Sequence, residues 1–132
     1  MATQADLARG WMRKGDSDRL NAQRTANSPG PYDTACFHCQ QAVEKYLKAV
    51  LALAGVAIPR THDLADIYNQ CVSISPALTI DRMELANLTP YAVQLRYDAE
   101  FWPDQATANQ GLEVVDRVRA TVLAVLPLST YP

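Results

Sequence analysis

Between Tyr32 and Ala54, Cys36, Cys39, Val43, Leu47, Val50 and Ala54 recur at three- and four-residue steps, while Gln41, Lys45 and Lys48 fall opposite. That period predicts a helix with one apolar stripe. Such a helix gains most of its stability by laying the stripe against other elements, so the chain must supply partners for it. Its limits are written in turn residues. Asn27-Ser28-Pro29-Gly30-Pro31 precede it, and Gly55 and Pro59 follow; none of these runs continues a helix. Glu44 and Lys48 stand four apart in the favourable order, worth a few tenths of a kcal/mol if exposed.

The partners have the same period. From Ala5 to about Asn27, Leu7, Ala8, Trp11, Gly15, Ala22 and Ala26 share one side of a helical wheel. A third helix is expected with Thr61 as its cap, Asp63 near the positive end of its dipole, and Leu64, Ile67 and Cys71 inward. Pro76 limits it. A fourth begins near Asp81 with Glu84 at capping-box spacing, and carries Met83 and Leu85 towards Leu95. Thr89-Pro90 interrupts it, as a kink or as a new cap with proline in the first helical position. A last helix, about Gln105 to Leu126, turns Ala108, Leu112, Val115, Val118, Val122 and Leu126 inward and ends before Pro127. No segment alternates with the period of a strand, and no repeat or low-complexity stretch is present. Short connections between long helices favour an all-α, antiparallel up-and-down bundle of about five helices.

With 132 residues, the chain fits a single domain over 1–132. The formal charge of −2 gives no general attraction to phosphate backbones, so nucleic acid would have to meet a local basic cluster. No apolar run reaches the ~18 residues of a membrane span, and the start, with Asp6, Arg9, Arg13 and Lys14, lacks a secretory apolar stretch. Three cysteines, an odd number, fit a reducing compartment. A cytoplasmic protein without a membrane partner is expected.

Cys36-Phe37-His38-Cys39, with Cys71 elsewhere, has the spacing used by zinc and redox sites. The helical wheel argues otherwise: both cysteines of the motif lie on the core stripe while His38 projects from the far side. Buried, reduced thiols without metal are therefore expected. Lys45, Lys48 and Gln41 form a polar face that is either solvated or a contact for phosphate or a partner. Trp11 and Trp102 read as packing residues. Arg96-Tyr97-Asp98 carries more chemistry, because alternating helices bring the end of the fourth helix beside the start of the third. His62 and Asp63 would then share an end of the bundle with Arg96 and Asp98. An arginine fork, a histidine and carboxylates suit a nucleotide or RNA site; they equally suit a hydrogen-bonded tie between helix ends.

Most of the chain resembles the HEPN family, the higher eukaryotes and prokaryotes nucleotide-binding domain. The resemblance runs from Trp11, Asp18 and Ala22 through Phe37-His38-Cys39-Gln40-Gln41-Ala42-Val43-Glu44-Lys45-Tyr46-Leu47-Lys48-Ala49 and Thr61-His62-Asp63-Leu64 to Arg96-Tyr97. It implies a bundle of about five helices, usually a homodimer, often encoded beside a minimal nucleotidyltransferase. In some branches it implies a metal-independent ribonuclease acting as a toxin or defence effector. In those nucleases four to six residues stand between an arginine and a histidine. Counted from Arg96, the positions are Phe101, Trp102 and Pro103, none of which shuttles a proton near neutral pH.

The resulting expectation is a protein that binds nucleotide or RNA, or a minimal nucleotidyltransferase partner, with nuclease activity weak or absent. Arg96, Tyr97, Asp98, His62 and Lys48 are the candidate contacts. No residue is assigned to catalysis, and neither cofactor nor metal is expected. Two alternatives stand beside it: an endoribonuclease in which His62 replaces the missing motif histidine, and a structural adaptor working through its dimer surface.

Overall fold

Thr3 starts the first helix with a reciprocal cap, its hydroxyl accepting from Asp6 N while the Asp6 carboxylate accepts from Thr3 N. These contacts satisfy donors that the helical ladder leaves free. The computed structural model describes residues 1–132. Helix α1 covers Gln4–Ala26 and α2 covers Asp33–Leu53. After them come α3 (Leu64–Ile74), α4 (Arg82–Leu88), α5 (Tyr91–Tyr97) and α6 (Gln105–Val125), with a 3-10 turn over Leu128–Thr130. The all-α bundle expected from periodicity is present, with no strand, and its fourth helix is divided into α4 and α5.

Helix α2 is the axis about which the others pack. Its stripe is buried, but so are Ala35, Gln40, Ala42, Glu44, Tyr46, Ala49 and Leu51. The expected half-solvated helix is in fact covered on most sides, because α1, α3, α5 and α6 all lie against it. Helix α1 runs antiparallel to α2: Ala26 shares an apolar cluster with Cys36, Asp18 meets Lys45, and Lys48 lies over Trp11. Two glycines allow close approach. A Cβ on Gly15 would stand 2.5 Å from the Tyr46 ring, and one on Gly111 would stand 3.1 Å from Cys39 Sγ.

Several inward positions differ from expectation. Leu7 is 53% exposed, and Met12 and Asp18 are buried on α1 instead. The wheel groups Leu7 with the stripe, but the α2 contact follows Ala8, Met12, Gly15, Ala22 and Ala26. Ala54 and Met83 are also exposed. Helix α3 is capped by Asp63, whose Oδ1 accepts from Ala65 N and Asp66 N, whereas Thr61 Oγ1 accepts from Asp63 N.

At Thr89-Pro90 the helix breaks, as proline lacks the amide donor that would continue the ladder. Thr89 does not cap α5. Its hydroxyl donates to Leu85 O at 2.9 Å and accepts from Leu64 N at 3.2 Å, joining the end of α4 to the start of α3. Asp104 caps α6, which buries Ala108, Gly111, Val114, Val115, Val118 and Val122. Beyond Pro127, Ser129 O accepts from Arg9 Nε at 3.0 Å and fastens the chain end to α1. No helix is long and apolar enough to cross a membrane.

Candidate functional site

The connection from Ala54 to Asp63 returns along α2, so His62 reaches the middle of that helix rather than its end. Gln40 Nε2 donates to His62 O at 3.1 Å, holding the loop there. His62 Nδ1 lies 2.8 Å from Glu44 Oε1, and Lys48 Nζ donates to Glu44 Oε2 at 2.8 Å. Gln40 Nε2 also reaches Glu44 Oε1 at 3.2 Å. Burial alone would raise the Glu44 carboxyl; the hydrogen bonds from Lys48 and His62, with the Lys48 charge, outweigh it and hold Glu44 below its ordinary value. An ionised carboxylate only accepts, so His62 donates through Nδ1, and in the neutral ring Nε2 becomes the acceptor. The Glu44 side chain is 3% exposed and that of His62 is 54% exposed. A buried carboxylate thus orients an accessible imidazole, an arrangement suited to proton transfer.

Two further ties run along the same helices. Asp18 bridges α1 to α2 by accepting from His38 Nδ1 at 2.7 Å and from Lys45 Nζ. Burial opposes its charge, but the His38 and Lys45 contacts prevail and lower its pKa. Asp16 accepts from Tyr46 Oη at 2.6 Å and from Arg119 Nε at 2.8 Å, joining α1, α2 and α6. Here too desolvation raises and the hydrogen bonds from Arg119 and Tyr46 lower, with a net lowering.

Of the candidate contacts, the structure brings His62 and Lys48 together on Glu44. Arg96, Tyr97 and Asp98 form a separate group, with no hydrogen bond or ion pair to His62 or Lys48. The reason is topological: Thr89, at the end of α4, meets the start of α3, and α5 carries the chain onward by roughly 10 Å at 1.5 Å per residue. Arg96 Nη2 donates to Ala92 O at 3.2 Å, and its guanidinium lies 5.6 Å from the Tyr97 ring centroid. Asp98 Oδ1 accepts from Glu100 N at 3.0 Å and shapes the turn that follows. Tyr97 is 77% exposed and Trp102 is 65% exposed, so Trp102 is not a packing residue. Trp11 is half-buried, with Lys48 Nζ 5.3 Å from its ring centroid.

Sequence reasoning does not single out Gln40, Glu44, Asp18 or Asp16 as site residues. A signal for the first two is present: Cys36, Gln40, Val43, Glu44 and Leu47 fall on one helical face, which places two polar side chains inside the apolar stripe. Asp18 and Asp16 have no such mark, since their partners come from other helices. The cysteines are buried as expected. Burial pushes the Cys36 thiol up to about 11 and the Cys71 thiol up to about 12, and raises Cys39 as well. Thiols held in that form are poor nucleophiles and metal ligands.

A bundle wrapped around one central helix, with Glu44 at its middle and the Arg96 group at the end of a broken helix, defines the class of domain to which the chain must be compared. The model of the HEPN domain matches residues 8–125, nearly the whole chain, and the chain therefore belongs to the HEPN domain family. Its fold is similar to the crystal structure of TT1696 from Thermus thermophilus, with a TM-score of 0.76 at 22% identity. The alignment covers 90% of this chain and 98% of that one. No curated protein matches the chain.

Proposed function

We propose that this HEPN protein binds nucleotide or single-stranded RNA at the exposed end of α5, as a homodimer and with cleavage slow or absent. The observation that carries this reading is the state of Arg96, which is exposed, has no carboxylate partner, and lies against an exposed tyrosine with a second exposed aromatic ring following at Trp102. A guanidinium without a carboxylate partner attracts phosphate, and aromatic faces stack bases without regard to sequence. Phe101, Trp102 and Pro103 occupy the positions where the family's nucleases place histidine, which supports binding without rapid turnover.

Incubation of the purified protein with single-stranded RNA in excess EDTA tests both halves of the reading. Binding should be measurable and cleavage slow or undetectable. Arg96→Ala should weaken binding roughly tenfold, equivalent to about 1.4 kcal/mol and in the range of one charge-assisted contact. If neither RNA nor nucleotide binds, a role in contacting a protein partner, such as a minimal nucleotidyltransferase, replaces this one.

A second reading, a metal-independent endoribonuclease, draws support from the Glu44 and His62 pair, in which the accessible ring nitrogen is the one left to accept a proton. Rapid cleavage in EDTA that His62→Ala abolishes would establish it.

A further inference from the structure

Glu84, Asn87 and Tyr91 follow one another at three- and four-residue steps, and so do Thr107, Gln110, Val114 and Arg117 on α6. Each set makes one helical face. Two such faces pack tightly when both are apolar, but here most positions are polar. Helix α4 packs on α2 and α3 instead, and a cleft of about 230 Å³ is left between the two faces. Its floor is apolar, since Leu88 and Val114 are buried and Gly111 adds no side chain. The ion pair of Glu84 and Arg117 spans one end. At the other end the Tyr91 ring packs on Phe101, with centroids 5.5 Å apart, next to the exposed Trp102.

The walls carry unengaged hydrogen-bonding groups. Gln105, Asp116, Arg117 and Arg119 of α6 are each held by a partner on another helix. Gln110 and Glu113 face the cleft and hold nothing, and Asn87 stands exposed on the opposite wall. The one cation of the cleft, Arg117, is neutralised by Glu84, whereas Glu113 has no ion-pair partner. Such a space repels phosphate and attracts groups that donate hydrogen bonds. Pockets for drug-sized ligands measure ~300–1,000 Å³; a smaller one with an apolar floor and polar walls suits a single flat heterocycle. Arg96, the phosphate contact, follows Tyr91 by roughly 7.5 Å along α5, a span that a few nucleotides of one strand cover.

Among the bases of RNA, guanine alone presents adjacent N1–H and N2–H donors on its pairing edge, which both oxygens of one carboxylate accept together. Its O6 and N7 accept from an amide. We propose that the cleft between α4 and α6 takes a guanine base, with Glu113 selecting it and Asn87 and Gln110 answering its acceptors. The base enters while the sugar-phosphate chain stays outside on Arg96, so the assignment rests on RNA binding at α5 and adds the base that such binding selects.

The test compares short oligouridylates carrying one central guanosine, inosine or adenosine, by fluorescence anisotropy with the full-length protein. The guanosine oligomer should bind about tenfold more tightly than the adenosine one, within the range that one bidentate contact discriminates. Inosine, which lacks the N2 amino group, should lose most of that advantage. Glu113→Gln, with helicity checked by circular dichroism, should erase the preference and leave affinity for plain oligouridylate unchanged. Arg96→Ala should weaken every oligomer and keep the ratio. Equal affinity for the guanosine and adenosine oligomers, or a preference that survives Glu113→Gln, would overturn the cleft assignment while leaving α5 binding intact. Guanosine alone, titrated by calorimetry beside adenosine, separates the two proposals from the other side. Binding of guanosine that is lost in Glu113→Gln but kept in Arg96→Ala upholds the cleft even if no RNA binds at α5, and binding of neither guanosine nor any oligomer overturns both.

Discussion

Glu44 ties the middle of α2 to the chain that follows it, since its two oxygens fix a lysine, a glutamine and the loop that carries His62. Removing it leaves Lys48, 13% exposed, without a counter-charge and takes away the contact to the His62 ring at the end of the loop that enters α3. Glu44→Ala should therefore lower the unfolding free energy by about 2 kcal/mol, measured by urea denaturation, and should increase amide exchange at His62 and Asp63 more than in α6. Loss of stability without that local signature would mean that the loop is held mainly by apolar contacts. The sequence displays Glu44 as a partner of Lys48 but not as a buried one, because helical spacing reports neighbours on one helix only. His62 is distant in sequence, and only the path of the loop after Ala54 brings it within reach. Arg96 illustrates the converse: its chemistry is legible, but its distance from His62 depends on α5, which no periodic pattern measures.

At the scale of elements, the periodic segments are the legible part. Helices α1, α2 and α6 begin and end within a few residues of the expected limits, because proline, glycine and acidic caps act locally. The junction at Thr89-Pro90 is visible as an interruption, but its role is not. The Thr89 hydroxyl serves two helices, accepting from Leu64 N and donating to Leu85 O. Thr89→Val keeps the shape and removes both bonds, leaving the Leu64 amide without its partner. The expected loss is about 1–2 kcal/mol of stability, read as a lower melting temperature, with earlier amide exchange at the start of α3. Unchanged exchange there would show that water replaces the hydroxyl. The wheel for α1 errs at Leu7 and Met12 because a helix crossing a partner at an angle buries a stripe that drifts from its own long axis.

For the whole molecule, three carboxylates tie the long helices to one another and to the His62 loop: Asp16, Asp18 and Glu44. Each has its pKa lowered by folding. A carboxylate with a depressed folded pKa contributes stability that is present above its unfolded value and is lost as pH falls through the folded one. The helices should accordingly separate as pH drops below about 4, the ordinary carboxylate range. Acid titration followed by circular dichroism should show the midpoint move upward in the Asp18→Asn protein, which has lost one of the three contributions. The buried thiols have a different consequence. Cys36, Cys39 and Cys71 sit on α2 and α3, out of reach of solvent. A maleimide or other alkylating reagent can therefore meet them only in the moments when the packing parts, so the pace of native-state alkylation counts openings of the bundle. The chain carries a built-in recorder of its own breathing, and one that ligand binding at α5 would be expected to slow.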